Sequence, residues 1–171
     1  LGWEVVFEFP RLWSTKGQTL REAIAADAGV LWRETRSCWQ PNTQMSVGRR
    51  KRQCGFCAAC LLRRLSVHAA GESEAADAYM LEDLSAPSLE AGLAGGFSLG
   101  RHRNAQHTYA IAGALHLDQL AVLSAASEKP RSFHRKVREL ARALGQSEAD
   151  VARHVRVMLA QHEAEWRAFL R

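Results

Sequence analysis

Cys38, Cys54, Cys57 and Cys60 are the whole cysteine complement of this chain, and three of them fall in the run Cys54-Gly55-Phe56-Cys57-Ala58-Ala59-Cys60. A single disulfide does not account for three thiols at a regular spacing, whereas one tetrahedral ion takes a set of four. Gly55 permits the backbone dihedrals that turn the sulfurs of Cys54 and Cys57 toward one ion. Cys60 is expected at the start of a helix, where unpaired amides and the positive end of the dipole favour a thiolate. Cys38 arrives from a separate segment, so a bound ion would staple two distant pieces of chain. Four thiolates on Zn2+ leave an anionic centre, and Arg36, Arg49, Arg50, Lys51, Arg52, Arg63 and Arg64 lie close in sequence to offset it. Such a closed site is structural, because no coordination position remains for water, and its contribution to folding is on the order of 10 kcal/mol. Two alternatives stand beside it. Four reduced cysteines pack as small hydrophobes, and three cysteines at this spacing also occur in iron–sulfur proteins, although here the fourth lies upstream and no Cys-Pro follows.

The elements that must position these residues can be read from patterning. Trp3 to Phe9 is rich in β-branched and aromatic residues and ends at Pro10, which predicts a strand; one strand forms no sheet, so it predicts a missing neighbour. Thr19 and Glu22 form a capping-box pattern opening a helix over 19–28 that stops at Gly29. Residues 40–53, with Pro41, Asn42 and Gly48, read as a loop between the first cysteine and the other three. A helix is predicted from Cys60 to Ala70, ended by Gly71. Apolar spacings of three and four predict further helices over 72–84, 106–126, 132–144 and 147–169. In the last, Ser147 and Asp150 form the cap, and Val151, Val155, Met158, Leu159, Trp166 and Phe169 lie near one face. The resulting organisation is a metal-bearing part over 1–84, a Gly- and Ser-bearing connection over 85–104 and a helical part over 105–171.

The chain has 171 residues, 47% hydrophobic and 24% charged, which suits one globular core. No apolar run reaches the roughly 18 residues of a membrane span, and the N-terminus lacks a signal-peptide order, so a cytoplasmic protein is expected. That compartment keeps thiols reduced. The net charge of +5 admits a phosphate-rich partner, and Arg49-Arg50-Lys51-Arg52 is the segment that would meet it. The plainer reading of that run is a solvated loop beside an anionic centre. An aromatic surface around Trp32 and Trp39 would favour nucleic acid, but both tryptophans are expected in the core.

The segments Thr35-Arg36-Ser37-Cys38-Trp39 and Cys54-Gly55-Phe56-Cys57-Ala58-Ala59-Cys60-Leu61-Leu62-Arg63 resemble the C-terminal zinc motif of the 7-cyano-7-deazaguanine synthases, the QueC family. Pro10 with Thr15-Lys16-Gly17-Gln18 resembles that family's proline followed by a Thr-Lys helix start. The resemblance covers residues 3 to about 71 and implies that Cys38, Cys54, Cys57 and Cys60 hold one zinc. It implies an α/β fragment, mainly α, whose N-terminal strand completes an adenine-nucleotide α-hydrolase-like sheet, followed by helices. The implied reaction is ATP-dependent conversion of 7-carboxy-7-deazaguanine and ammonia to the nitrile, with adenylation first. Lys16 and Arg63 would then stand nearest the anionic substrate or phosphates. The family's Ser-Gly-Gly-x-Asp-Ser phosphate loop does not occur here, so ATP and Mg2+ would enter through an upstream half or a partner subunit. The longer Cys38-to-Cys54 gap and the helical extension suit a relative of the QueC-like proteins in anti-phage gene clusters.

From another class comes a non-catalytic zinc-stapled module that binds nucleic acid, or a protein through the helices of 105–171. No catalytic residue is assigned. His134, His154 and His162 are expected at the surface of helices, and His102 and His107 have no carboxylate between them to build a site.

Overall fold

The computed structural model describes residues 8–26, 28–39, 46–47, 50–97, 103–126 and 128–171. The predicted strand at Trp3–Phe9 falls, through residue 7, outside the described residues, as do Arg49 and His102. The fold is mainly helical: α1 (Lys16–Ala25), β1 (Ser46–Val47), β2 (Arg50–Lys51), α2 (Ala58–Ala69), α3 (Arg103–Ala125), α4 (Arg131–Leu144) and α5 (Glu148–Phe169), with short 3-10 turns at Ala28–Glu34 and Ala76–Ala78.

α1 starts one turn earlier than the Thr19 pattern predicts. Thr15 is the cap: its hydroxyl accepts from the Gln18 amide at 3.1 Å and its amide donates to the Gln18 side chain at 2.9 Å. Thr15-Lys16-Gly17-Gln18 fits the capping-box spacing as well as the downstream pair does, and Thr15 is also tied to Glu165 at 2.8 Å. Thr19 instead donates its hydroxyl to the Thr15 carbonyl at 3.0 Å. Nor does Gly29 end the segment, because it sits inside the Ala28–Glu34 turn.

The predicted loop over 40–53 contains a two-residue hairpin, with Ser46 opposite Lys51 and Val47 opposite Arg50. α2 ends as predicted: Gly71 at φ +79 lets the Glu72 amide reach the Val67 carbonyl at 3.0 Å and its own amide reach His68 at 2.9 Å.

The predicted helix over 72–84 does not form beyond the Ala76–Ala78 turn. Its backbone groups are bonded elsewhere. Gln53 N donates to Ala78 O (2.9 Å), Met80 N to Gln53 O (2.7 Å), Leu81 N to Cys54 O (3.0 Å) and Glu82 N to Gly92 O (2.8 Å). Tyr79, Met80 and Leu81 are buried in succession, which no single helix face allows. Tertiary pairing over the cysteines overrides local helical spacing here.

α3, α4 and α5 follow their predicted ranges closely. Phe133, Val137 and Ala141, one residue per turn of α4, pack with Val151 and Leu159 of α5. Leu61 and Leu65 of α2 share a cluster with Leu117 and Ala121 of α3 and Trp166 of α5. The carbonyls of Leu123, Ser124 and Ala126, at and just beyond the end of α3, accept from Lys129 Nζ at 2.7–2.8 Å. Glu165 is only 7% exposed and accepts from both Thr15 and, at 2.9 Å, Gln161. His154 stacks on Trp13 with centroids 5.1 Å apart. These contacts seat α5 on the start of α1, and they correct two histidine expectations. His154 is half-buried, and His162 is buried with its Nε2 2.8 Å from the Leu117 carbonyl, because both lie on the face of α5 that packs inward.

Candidate metal centre

Three pieces of chain bring the sulfurs together. Cys54 and Cys57 flank the turn at Gly55, Cys57 is the N-cap of α2, and Cys60 lies one turn into that helix. Gly55 has φ +84, and a Cβ there would stand 2.9 Å from the Leu81 carbonyl, so glycine is required both by conformation and by space. Cys38 comes from an extended segment held by Ser37 N, which donates to the Gln53 side chain at 2.8 Å.

All four Sγ atoms lie within 4.8 Å of one another. The Cys54 and Cys60 sulfurs are 3.7 Å apart. A tetrahedron with metal–sulfur bonds of about 2.3 Å has edges of about 3.8 Å, so the sulfurs stand at the spacing of one ion. No disulfide links them, and a multi-iron cluster would hold its thiolates farther apart. Cys54, Cys57 and Cys60 are buried with Phe56 and Met80 around them, while Cys38 is half-exposed. The donor set and its spacing fit a metal.

Amides converge on the sulfurs as they do on thiolates. Cys54 N donates to Cys38 Sγ at 3.3 Å and Cys57 N to Cys54 Sγ at 3.4 Å. Crowding divides the thiols into two kinds. Hydrogen bonding, first from Cys54, draws Cys38 down to about 6, and Cys57 is lowered, first by Cys38. Cys54 and Cys60 are pushed up, first by their contacts with Cys38. A dication bound here would displace the protons these sulfurs hold.

The cations expected around this centre divide as well. Arg64 donates to the Leu81 carbonyl at 2.6 Å and the Glu82 carbonyl at 2.9 Å, and burial lowers its pKa. Arg63 is buried. It pairs with Glu74 at 2.8 Å and donates to Thr35 Oγ1 at 2.7 Å and the Trp32 carbonyl at 3.1 Å. Arg52 pairs with Glu82, and Arg50 with Asp77 at 3.1 Å.

Beside the metal helix lies a cavity of about 1010 Å3, lined by residues of α1, α2, α3 and α5 and by the segment 32–39. Lys16 and Arg63, the two residues singled out for anion binding, both line it. No Asp or Glu does. Residues 2–71 match the family described as queuosine biosynthesis protein QueC. No curated protein and no solved structure matches the chain. The QueC-like segment thus carries Thr15, Lys16, all four cysteines and Arg63, and it ends at Gly71, the stop of α2. Glu165, missed in the sequence, is outside it; nothing in the local pattern of α5 distinguishes Glu165 from its solvent-facing acids.

Trp39 overturns an expectation. It is 73% exposed and not in the core, because its neighbour Cys38 is drawn inward while the extended backbone turns the next side chain outward. Trp32 is half-buried, with the Arg33 guanidinium 4.6 Å from its ring centroid. Among the described residues, no helix is long and apolar enough to cross a membrane.

Proposed function

We propose that this chain is the zinc-bearing C-terminal part of a QueC-like ATP-dependent 7-cyano-7-deazaguanine synthase, or of a relative serving anti-phage defence. The observation that carries the reading is the coincidence of the QueC match with four sulfurs at single-ion spacing. Zinc, held by Cys38, Cys54, Cys57 and Cys60, is structural: it fixes the segment 35–39 against α2 and so shapes one wall of the cavity. Lys16 has no acidic partner among the described residues and lines that cavity, so its ammonium is available to a carboxylate. Arg63, with its three protein partners, holds the wall and orients Thr35. The nucleotide chemistry belongs to a phosphate-loop-bearing half or partner subunit: the carboxylate oxygen attacks the α-phosphorus of ATP, pyrophosphate leaves, and ammonia displaces AMP to give the primary amide. The amide oxygen attacks a second ATP, again releasing pyrophosphate, and then departs with AMP as the nitrogen gives up its protons to leave the nitrile.

Native mass spectrometry of protein purified from its own cells without chelator tests both parts. One zinc per chain, together with an attached or bound phosphate-loop polypeptide, is expected. That assembly should release AMP and pyrophosphate only with a 7-deazaguanine carboxylate, and Lys16→Ala should raise the KM for it. Zinc without any nucleotide-binding polypeptide would leave a non-catalytic zinc-stapled module. Absence of metal would overturn both.

A further inference from the structure

The basic hairpin and Trp39 were separate features of the sequence, and the fold joins them. Arg36 Nη2 donates to the Lys51 carbonyl at 3.1 Å, which lays the segment 35–39 alongside β2. Trp39 projects from that segment and lines the cavity mouth together with Arg36. Lys51 and Arg36 are exposed and have no acidic partner among the described residues, and Arg50 is 79% exposed despite its contact with Asp77.

We infer that this face binds single-stranded nucleic acid, with one base stacked on Trp39 and the flanking phosphates on Arg36, Arg50 and Lys51. Three observations favour that partner. An exposed indole beside a cavity offers a π-face to an unpaired base, and a duplex would keep its bases stacked away from it. The Arg36 guanidinium sits 3.1 Å from the Lys51 carbonyl, so exposed cations of two segments adjoin, as sites for successive phosphates. Asp77 is paired with Arg50 and Glu82 with Arg52, so neither stands as a free carboxylate that would repel a polyanion. An acidic peptide would use the cations but gain little from the ring. The inference goes beyond the synthase reading and stands without it.

The test is fluorescence anisotropy of the full chain with a labelled single strand of roughly 12 nucleotides, a length within the span of known single-strand sites. Binding should weaken as salt rises from about 50 to 200 mM. Trp39→Ala should weaken it roughly 5- to 150-fold, the range of one base–aromatic stack, while Trp39→Phe keeps most of it. Lys51→Ala should reduce the salt slope by about 0.7, one phosphate's share for a single strand. Metal content and far-ultraviolet dichroism confirm that each variant is folded. Equal affinity of wild type and Trp39→Ala, equal affinity for duplex, or tighter binding of polyglutamate would each overturn the inference. So would displacement of the strand by equimolar AMP, which would make the occupant a free nucleotide.

Discussion

Among the described residues, those between Cys38 and Phe97 form two-residue strands, isolated bridges, turns and a single α-helix, whereas those from Arg103 onward form three helices and their connections. The core of the first region is Cys54, Phe56, Cys57, Cys60, Tyr79, Met80 and Leu81. Four of the seven come from the run 54–60 and three from the strap 79–81, so few elements share the burden. The core of the second is spread over turns of α4 and α5. Irregular backbone with its amides bonded across segments has little intrinsic stability, and a bound ion supplies what packing does not. Amphipathic helices need no ligand, because each turn contributes a buried side chain. α2 serves both regions: Cys60 faces the sulfurs while Leu61 and Leu65 face α3 and α5.

The sharpest way to break this comparison is to remove the metal. Chelation, or Cys57→Ser, withdraws a contribution on the order of 10 kcal/mol. Hydrogen exchange should then accelerate over residues 50–81 while the amides of α4 and α5 stay protected. Equal loss in both regions would show that the helical part depends on the ion through α2. Acidification should act in the same direction as chelation, because protons compete with metal for the sulfurs.

The converse substitution attacks packing and spares the ion. Trp166 is buried against α2 and α3, and its Nε1 donates to Asp118 at 3.1 Å. Trp166→Ala should cost about 3–5 kcal/mol in urea denaturation while metal stoichiometry is unchanged. Loss of metal in this variant would make the two regions one cooperative unit.

The same division explains what could be read from the sequence. α3, α4, α5 and the four-cysteine set were legible because each is specified by local spacing, and the Ser147 cap and the Gly71 stop were legible as single-residue signals. The strap at 79–81 was misread as helix, since Ala and Leu spacing there cannot reveal that Gln53, Cys54 and Gly92 take its backbone bonds. Trp39 was misplaced for a related reason: its exposure follows from where Cys38 points, which depends on the distant run 54–60. Glu165 and His162 were invisible because their partners, Thr15 and the Leu117 carbonyl, are 150 and 45 residues away.

Two glycines with the same backbone sign separate conformation from contact. Gly55 and Gly71 have φ +84 and +79, but a Cβ meets the Leu81 carbonyl at 2.9 Å in the first and nothing within 4 Å in the second. Gly71→Ala should cost about 1–2 kcal/mol, the left-handed penalty alone. Gly55→Ala should cost more and should also weaken metal retention in a chelator competition, since the strap must move away from the sulfurs. Equal effects would mean that the strap yields freely.

The smallest effect lies farthest from the sulfurs, at the cap of α5. Ser147 accepts from the Asp150 amide at 3.1 Å and donates its hydroxyl to the Asp150 carboxylate at 2.7 Å. Ser147→Ala should cost about 1 kcal/mol and leave metal content untouched. Its pH dependence follows from the carboxylate. The Ser147 hydroxyl, and then Arg153, hold Asp150 below its ordinary range. A depressed carboxyl stabilises the folded state above its unfolded pKa, and that contribution fades as pH falls through the lower folded value. The melting difference between wild type and Ser147→Ala should therefore be full at neutral pH and shrink on acidification below about 4, where aspartate ordinarily titrates. A difference that stayed constant with pH would assign the whole effect to the amide bond, and the acid at 150 would then contribute nothing to holding the helix whose far end carries Glu165 to Thr15.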